Sequence, residues 1–377
     1  MKIDQNKILM GVVTLLAAAV VVLAVMLIAQ EAPEEPREVS INDSVDRPEH
    51  VEDEYPEEKE EEKEQVEVQE EAPVFFSTMT HLEGDWDFVE ELEAAFDRQA
   101  DYLRVAMDYA EQYDAILTFE SEMPFARAMV KWDDNVFQEA LDRGMGIGTH
   151  CDTRPTEPRS VEAFAADIAE RKALVDALVD SSENLGCAGA GGLNDWYGGM
   201  VGAGFKYIDG LVGFHYMAMP MNERPEGWNN RAITSEYFHD TAPVEDELRY
   251  YPFRVSSASF NEDPSGELVV SAGDIGEISS IGDQVLAGET GWGAECSPNC
   301  AIDMADVDAI EDAIRNFVET RDTSRVAKLQ VYISTQKFTD PGIELFFERM
   351  QALQDEGVIQ WASQKEVYEA FVEWENK

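Results

Sequence analysis

Three short apolar or β-branched segments of the chain end abruptly in histidine or carboxylate side chains. They cover residues 75–86, 115–122 and 144–152, and helix-like stretches separate them. Their polar ends supply His81, Glu83, Asp85, Glu120, Glu122, His150 and Asp152. In a sheet or barrel built from βα units, the carboxyl ends of the strands converge on one face, where ligand sites form. Because the chain has only five histidines, two of them at strand ends predict a divalent-metal or acid/base site.

The side chains of this predicted site divide into two roles. The predicted metal ligands are Glu83, His150 and Asp152, with His81 as a further candidate, and the predicted proton-transfer groups are Glu120 and Asp85. Two imidazoles with carboxylates suit a borderline divalent ion, with zinc expected, and leave a position open for water. Water bound to such an ion has a pKa of about 7 and becomes a nucleophile. The alternative is a metal-free polar network in which the histidines hydrogen-bond neighbouring carboxylates.

Strands and helices alternate regularly along residues 74–377. Apolar and β-branched runs predict strands at 74–80, 115–119, 145–149, 185–190, 205–214, 326–334 and 358–362. Strand, helix, strand at this spacing implies parallel pairing with right-handed crossovers. The Gly-Ala-Gly-Gly run at 189–192 indicates a tight strand-to-helix turn rather than a phosphate cradle, since the P-loop spacing and lysine are missing. Five prolines interrupt residues 216–270, which predicts a loop-rich excursion, either a lid or a second lobe.

The N-terminal residues 1–30 are predicted to anchor the chain in a membrane. Residues 8–29 are uncharged and mostly apolar, and a helix of that length spans a hydrocarbon core of roughly 30 Å. Lys2 and Lys7 precede the stretch, which predicts a cytoplasmic N-terminus and an extracytoplasmic domain on a single-pass cell-membrane protein. A cleaved signal peptide is the alternative, although its apolar region is normally about 7–15 residues long.

Residues 31–73 form a strongly acidic segment, with 19 acidic and four basic side chains. It has too little apolar surface to offset ordering entropy, so we predict a disordered tether, with a cation- or partner-binding tail as the alternative. The formal charge of the whole chain is −50, of which residues 74–377 carry −36. This charge excludes nucleic acid as a partner. It resembles the surfaces of halophilic proteins, which lose stability by self-repulsion at low salt.

Four cysteines are available for disulfides, which an extracytoplasmic location permits. Cys296 and Cys300 lie in a Gly/Pro-rich loop and could close a small ring, or form half of a zinc site that lacks its second pair. Cys151 and Cys187 both fall near predicted strand ends, and the sequence leaves their pairing open.

The order of elements over residues 74–374 resembles the polysaccharide deacetylase family and its glycoside hydrolase/deacetylase relatives. The run from Gly144 to His150, GMGIGTH, is similar to that family's third-strand pattern G-x-E-I-x-x-H, and Thr80 to Gly84, THLEG, stands where the family has T-F-D-D-G. Residues 185–207 resemble its fourth βα unit, and residues 359–367 resemble its last strand and the following helix. The resemblance implies a distorted (β/α)7-type barrel with parallel strands, preceded here by the transmembrane helix and the disordered tether.

The chain also departs from that family's pattern. The family binds its metal with an aspartate of the first motif and a His-x3-His pair, which Glu83 and His150 match, but residue 154 is arginine. Leu82 replaces the aspartate that serves as base, and residues 331–335 offer no late-strand histidine. The resemblance therefore implies deacetylase chemistry that is either rewired through the remaining polar groups or lost.

The predicted function is a membrane-anchored, metal-dependent deacetylase of polysaccharide or cell-envelope glycan. A glycoside hydrolase that uses two of the strand-end carboxylates is one alternative. A non-catalytic glycan-binding protein is the other. Its sugar-stacking candidates are Trp86, Trp196, Trp228 and Trp292, although most tryptophans are packing groups.

Overall fold

A computed structural model describes residues 71–84, 88–151, 158–189, 191–237, 240–282 and 300–377. The chain divides into two compact units, Met1–Glu67 and Val68–Lys377, and every described residue belongs to the second. Within these ranges no helix is both long enough and apolar enough to cross a bilayer. The predicted anchor at residues 8–29 and nearly all of the predicted tether lie outside the described residues.

The described residues alternate between strands and helices for most of their length. The strands are β1 Val74–Leu82, β2 Thr118–Ser121, β3 Gly146–His150, β4 Gly186–Ala188, β5 Tyr207–Asp209, β6 Phe253–Val255, β7 Leu268–Ser271, β8 Asp274–Glu277, β9 Ala327–Tyr332 and β10 Gln360–Trp361. The α-helices are α1 Glu93–Gln112, α2 Met123–Lys131, α3 Val136–Asp142, α4 Val161–Asp176, α5 Trp196–Ala203, α6 Arg231–Tyr237, α7 Met304–Thr320, α8 Ile343–Asp355 and α9 Gln364–Glu375. Short 3₁₀ helices cover Leu211–Phe214, Tyr216–Ala218, Met221–Glu223, Asp246–Tyr250 and Thr335–Thr339.

The strands form one sheet that curves until its two ends meet. Their order is β6-β7-β5-β4-β3-β2-β1-β9-β8, and β10 pairs with β1 off this path. Near opposite ends of that order, β7 and β8 are separated by only residues 272 and 273 in the chain. The amide of Gln330 in β9 donates to the carbonyl of Gly273 at 2.7 Å, and the Lys328 ammonium donates to the carbonyl of Ser271 in β7 at 2.6 Å. The result is a curved α/β wall in which the pairings are parallel except that between β6 and β7, which confirms the predicted parallel α/β class.

The helices begin and end where the sequence places its local signals. The Asp195 side chain accepts from the amide of Gly198 at the start of α5, and that helix stops at Gly204, whose φ is +86°. A glycine adopts this left-handed conformation without the steric cost of a Cβ. Capping boxes formed by Asp303 with Asp306 and by Ser363 with Glu366 start α7 and α9. These caps supply acceptors for amides that have no partner inside the helix.

The two faces of the sheet differ in polarity. Toward the helices, the ring of Phe76 in β1 packs on Trp361 and Phe346, with centroid distances of 4.9 and 6.2 Å. One residue further along β1, Ser77 points the other way and lies in register with Gln330 of β9, and both are buried. Because side chains alternate along a strand, an apolar layer lies under the helices and a polar layer fills the inside of the curve.

Residues 216–270 contribute strands to the sheet and also form loops and short helices outside it. They contribute β6 and most of β7, which sequence patterns did not predict. The buried guanidinium of Arg224 donates to the carbonyls of Met219 and Gly192, both at 2.9 Å, and to that of Met217 at 2.6 Å. The Trp228 indole donates to the same Gly192 carbonyl at 2.9 Å. These bonds fasten the segment to the Gly-rich turn that follows β4.

Two of the predicted sugar-stacking tryptophans are packing groups instead. Trp196 is fully buried and Trp228 is 3% exposed, so neither offers an open ring face to a sugar. Their apolar area is used inside the domain because indoles are large enough to fill gaps between helices and loops. Trp86 and Trp292 lie outside the described residues.

A disulfide joins Cys151 to Cys187, with 6.0 Å between their Cα atoms. The sequence alone did not decide whether these two cysteines pair. Cys151 directly follows β3, and its amide donates to the carbonyl of Ala188 in β4 at 2.8 Å. The crosslink therefore fixes the carboxyl end of β3 against β4. Cys300 is also disulfide-bonded, whereas Cys296 lies outside the described residues.

Candidate functional site

Three neighbouring strands bring two histidines and a glutamate together at the carboxyl edge of the sheet. His81 near the end of β1 lies in register with Glu120 of β2, and Glu120 lies in register with Gly148 of β3. His150 ends β3, two residues beyond Gly148, so its side chain lies on the same face. Residues that are about 30 to 70 positions apart in sequence are adjacent here because parallel strands align their carboxyl ends.

The three side chains lie within ligand distance of one another. One potential ligand atom from each of His81, Glu120 and His150 lies within 4.8 Å of the other two. The Nε2 atom of His81 is 3.2 Å from a carboxylate oxygen of Glu120. The imidazole rings of His81 and His150 stack with 3.8 Å between centroids and 21° between planes. This group, His81, Glu120 and His150, is called the His–Glu–His cluster below.

A glycine makes room for the cluster. A Cβ at position 148 would lie 3.2 Å from Cγ of Glu120 and 3.4 Å from its Oε1 atom, closer than side-chain carbons usually approach. The absence of a side chain at Gly148 therefore lets the Glu120 carboxyl extend across β3. The other glycine of this strand, Gly146, has a different reason, because a Cβ there would lie 2.5 Å from Cβ of Ser363.

Burial controls the protonation of the cluster. Glu120 is fully buried, and this desolvation raises its pKa to about 7, against the opposing effects of a hydrogen bond with Asp209 and the charge of Lys328. Burial also holds the pKa of His150 well below its ordinary value, and the proximity of His81 lowers it further. At neutral pH the His150 ring is therefore uncharged and has a lone pair to offer an ion.

Below the cluster, inside the curve of the sheet, lies a second charged group that the sequence did not predict. Burial, followed by the charge of Glu120, raises the pKa of Asp209 at the end of β5 well above its ordinary value. Lys328 of β9 is also buried, which lowers its pKa to about 8, while Asp209, Asp274 and Glu120 favour its charged form.

Sequence signals for this second group were present but ambiguous. Lys328 interrupts the apolar strand AKLQVY, and a charge in a buried strand indicates either an inward-facing functional group or an edge position. Asp209 closes the three-residue strand YID, which the sequence predicted to continue to residue 214. Only the register of the strands shows that both side chains face Glu120.

Of the remaining predicted site residues, two lie near the cluster and two lie outside the described residues. Glu83 is partly exposed at the same rim, but it does not belong to the His–Glu–His cluster. Glu122 lies beside the cluster, with its Oε1 atom 3.9 Å from Nε2 of His150. Asp85 and Asp152 lie outside the described residues, so their predicted roles in proton transfer and metal binding stay predictions.

The cluster fits a divalent cation such as zinc. Two imidazole nitrogens and one carboxylate oxygen are a donor set that zinc adopts in hydrolases, with a further position left for water. The Nδ1 atom of His150 is buried and makes no hydrogen bond to any described residue. An unpaired buried nitrogen is costly in a metal-free protein, and bonding to a cation, or rotation of the ring toward one, would remove that cost.

Comparisons with known proteins find similarity in structure but not in sequence. No family model matches the chain, and no curated protein matches it. A 4-alpha-glucanotransferase from Thermococcus litoralis is 13% identical with a TM-score of 0.44, over 79% of this chain and only 38% of the glucanotransferase. A probable polysaccharide deacetylase from Pseudomonas aeruginosa PAO1 is 11% identical with a TM-score of 0.48, over 80% of this chain and 92% of that one. Puue allantoinase is 12% identical with a TM-score of 0.47, over 79% and 90% of the two chains. The function is therefore argued from the residues of the site.

Proposed function

We propose that this chain is a divalent-metal-dependent hydrolase that removes acetyl groups from a polysaccharide. The observation that carries the proposal is the His–Glu–His cluster, whose three potential ligand atoms lie within 4.8 Å of one another. The substrate class is supported by the resemblance of the strand-end motifs around His81 and His150 to those of polysaccharide deacetylases. Zinc is the expected ion, because the donor set combines imidazole with carboxylate.

In this proposal the ion is held by His81, Glu120 and His150, and it supplies the Lewis acidity that lets water ionise near neutral pH. Glu120, predicted from sequence as a proton-transfer group, becomes a ligand, because its carboxylate lies 3.2 Å from His81. Proton transfer passes to Glu122, whose carboxylate lies 3.9 Å from His150 and so is close enough to reach a water at the site.

The reaction proceeds in two steps, addition of water to the acyl carbon and release of the sugar. Glu122 accepts a proton from water, the water oxygen bonds to the acyl carbon, and the π electron pair of the carbonyl moves onto the carbonyl oxygen. When that pair returns, the bond from the acyl carbon to the sugar nitrogen or oxygen breaks, and Glu122 gives its proton to the departing atom. The products are acetic acid, which releases its proton to solvent to give acetate, and a free amine or hydroxyl on the sugar.

The site of action is part of the same proposal. The apolar stretch at residues 8–29 and the acidic segment that follows it support a domain tethered to the outer face of the cell membrane, where cell-envelope or environmental glycans are accessible. The negative charge of the chain, −50 in total, supports a neutral or amine-bearing glycan over nucleic acid as the partner.

The experiment incubates the purified full chain with zinc in concentrated salt and with N-acetylated and O-acetylated glycans. Free acetate and new reducing ends are both measured, before and after the ion is removed with a chelator. We expect acetate without reducing ends, and its loss on chelation. Reducing ends without acetate would identify a glycoside hydrolase, and glycan binding with neither product would identify a binding protein. Either result overturns the proposal.

A further inference from the structure

Tyr332 lies on the flank of the His–Glu–His cluster and has no part in the proposed function so far. It ends β9, in register with Met79 of β1 and with Glu277 of β8. Because His81 lies two residues beyond Met79, Tyr332 and His81 lie on the same face of neighbouring strands. Their ring centroids are 5.1 Å apart, with the planes at 57°.

The position of Tyr332 differs from that of a packing aromatic. Its strand lies on one side of β1, and the strand that carries Glu120 lies on the other, so the phenol and the carboxylate flank His81 from opposite sides. The fully buried packing rings of the domain, such as Phe119, lie in the apolar core beneath the helices. Tyr332 lies instead at the polar rim and retains some exposure.

The Tyr332 side chain ends in a hydroxyl, which can donate a hydrogen bond. Among the described rim side chains of β1, β2, β3, β8 and β9, Tyr332 combines an O–H donor with ring contact to a cluster residue.

We propose that Tyr332 is a catalytic residue of this site, whose hydroxyl donates a hydrogen bond to the oxygen that becomes negative when water adds to the acyl carbonyl. The inference rests on the proposed function, because it requires an acyl substrate at the His–Glu–His cluster. The donor strengthens its bond as the π pair moves onto the carbonyl oxygen, and it relaxes when the pair returns and the acyl bond breaks. Tyr332 keeps its own proton throughout, so the proton balance of the reaction is unchanged.

The expected energetic effect is that of one preorganised donor in an oxyanion site. Loss of such a donor typically lowers kcat by about 100-fold or more. The bond forms with the charged oxygen rather than with the ground-state substrate, so kcat should fall while KM changes little. A hydroxyl that only held the loops together would alter thermal stability and ion affinity as well.

The test compares Tyr332→Phe with the full-length wild type, and uses Tyr197→Phe on α5 as the matched control. Tyr197 is a buried tyrosine with no place in the proposed machinery. For Tyr332→Phe we expect kcat for acetate release to fall about 100-fold, with unchanged KM and zinc affinity. For Tyr197→Phe we expect kcat to stay within about twofold of wild type.

Measurements on the wild type and on Tyr332→Phe together distinguish a wrong role for Tyr332 from a wrong function for the chain. If the wild type binds zinc and releases acetate while Tyr332→Phe keeps full kcat, or loses zinc in parallel with kcat, the catalytic role of Tyr332 is wrong and the proposed function stands. If the wild type releases no acetate, the proposed function fails, and the role inferred for Tyr332 fails with it.

Discussion

Replacing Glu120 with glutamine is expected to stabilise the metal-free protein by about 3 kcal/mol at pH 8 and to change its stability little near pH 4.5. Burial raises the pKa of Glu120 from 4.5 to about 7, and each unit of pKa difference between folded and unfolded states corresponds to about 1.4 kcal/mol. Glutamine keeps the shape and polarity of the side chain but cannot ionise. The measurement is equilibrium urea unfolding with a chelator present, at both pH values in the same concentrated salt.

Stability falls with rising pH because folding raises the pKa of Glu120. Between pH 4.5 and about 7 the unfolded chain has released this proton while the folded chain retains it, so the stability of the metal-free wild type falls as pH rises through this window. Above pH 7 the buried carboxylate of Glu120 is ionised, and the full free-energy cost of burying its charge remains. The same carboxylate is the form that binds a cation, so ion binding should strengthen over the pH range in which the metal-free fold weakens.

Glu122→Gln serves as the matched control, because it alters a neighbouring carboxyl whose side chain is 14% exposed rather than fully buried. We expect its stability difference from wild type to stay within about 0.5 kcal/mol at both pH values. A stability difference for Glu120→Gln that does not grow between pH 4.5 and pH 8 would contradict the assignment of Glu120 as a buried, ionisable group.

Replacing Lys328 with methionine is expected to lower the stability of the metal-free protein by at least about 1 kcal/mol more at pH 8 than at pH 5. The Lys328 ammonium is buried among Asp209, Asp274 and Glu120, and removal of one member of a buried charge group leaves the others without compensation. At pH 5 the loss should be smaller, because Glu120, whose pKa is about 7, is then neutral. Urea unfolding in the presence of a chelator, at the two pH values, measures this difference.

A double-mutant cycle tests whether the loss comes from charge or from packing. Combined with Glu120→Gln, Lys328→Met should cost at least about 1 kcal/mol less than it does alone at pH 8, because one uncompensated carboxylate is gone. The neutral inward-facing pair Gln364 and Gln330, joined by a hydrogen bond of 2.7 Å, supplies the control. Gln364→Leu should show no coupling to Glu120→Gln. Equal costs for Lys328→Met in both backgrounds would contradict an electrostatic role.

The parts of the fold that repeat could be predicted from the sequence. The alternation of strands and helices predicted parallel pairing, and the segments that hold β1, β2 and β3 were placed correctly with polar residues at their carboxyl ends. His81, Glu120 and His150 were therefore recognisable as neighbours, because parallel strands align their ends regardless of the sequence between them. Their division into ligands and proton-transfer groups depends on distances of a few ångströms, which a sequence pattern does not contain.

The remaining features depend on contacts between distant parts of the chain. The strands β6, β7 and β8 are three or four residues long, too short for a periodic pattern to distinguish them from loops. Whether Lys328 faces the helices or the inside of the sheet depends on strand register, which one residue of slip would reverse. The pairing of Cys151 with Cys187 required the adjacency of β3 and β4, and the burial of Trp196 and Trp228 required knowledge of what covers them.

Elemental analysis of the full-length protein, after equilibration with zinc and dialysis, shows whether His81, Glu120 and His150 hold a divalent cation. Wild type is compared with His150→Ala and with His215→Ala, which removes another buried histidine outside the cluster. We predict about one zinc per chain in wild type and in His215→Ala, and less than about a tenth of that in His150→Ala. A metal-free wild type, or a His150→Ala variant that keeps its zinc, would contradict it and would favour a neutral network of histidines and carboxyls at this rim.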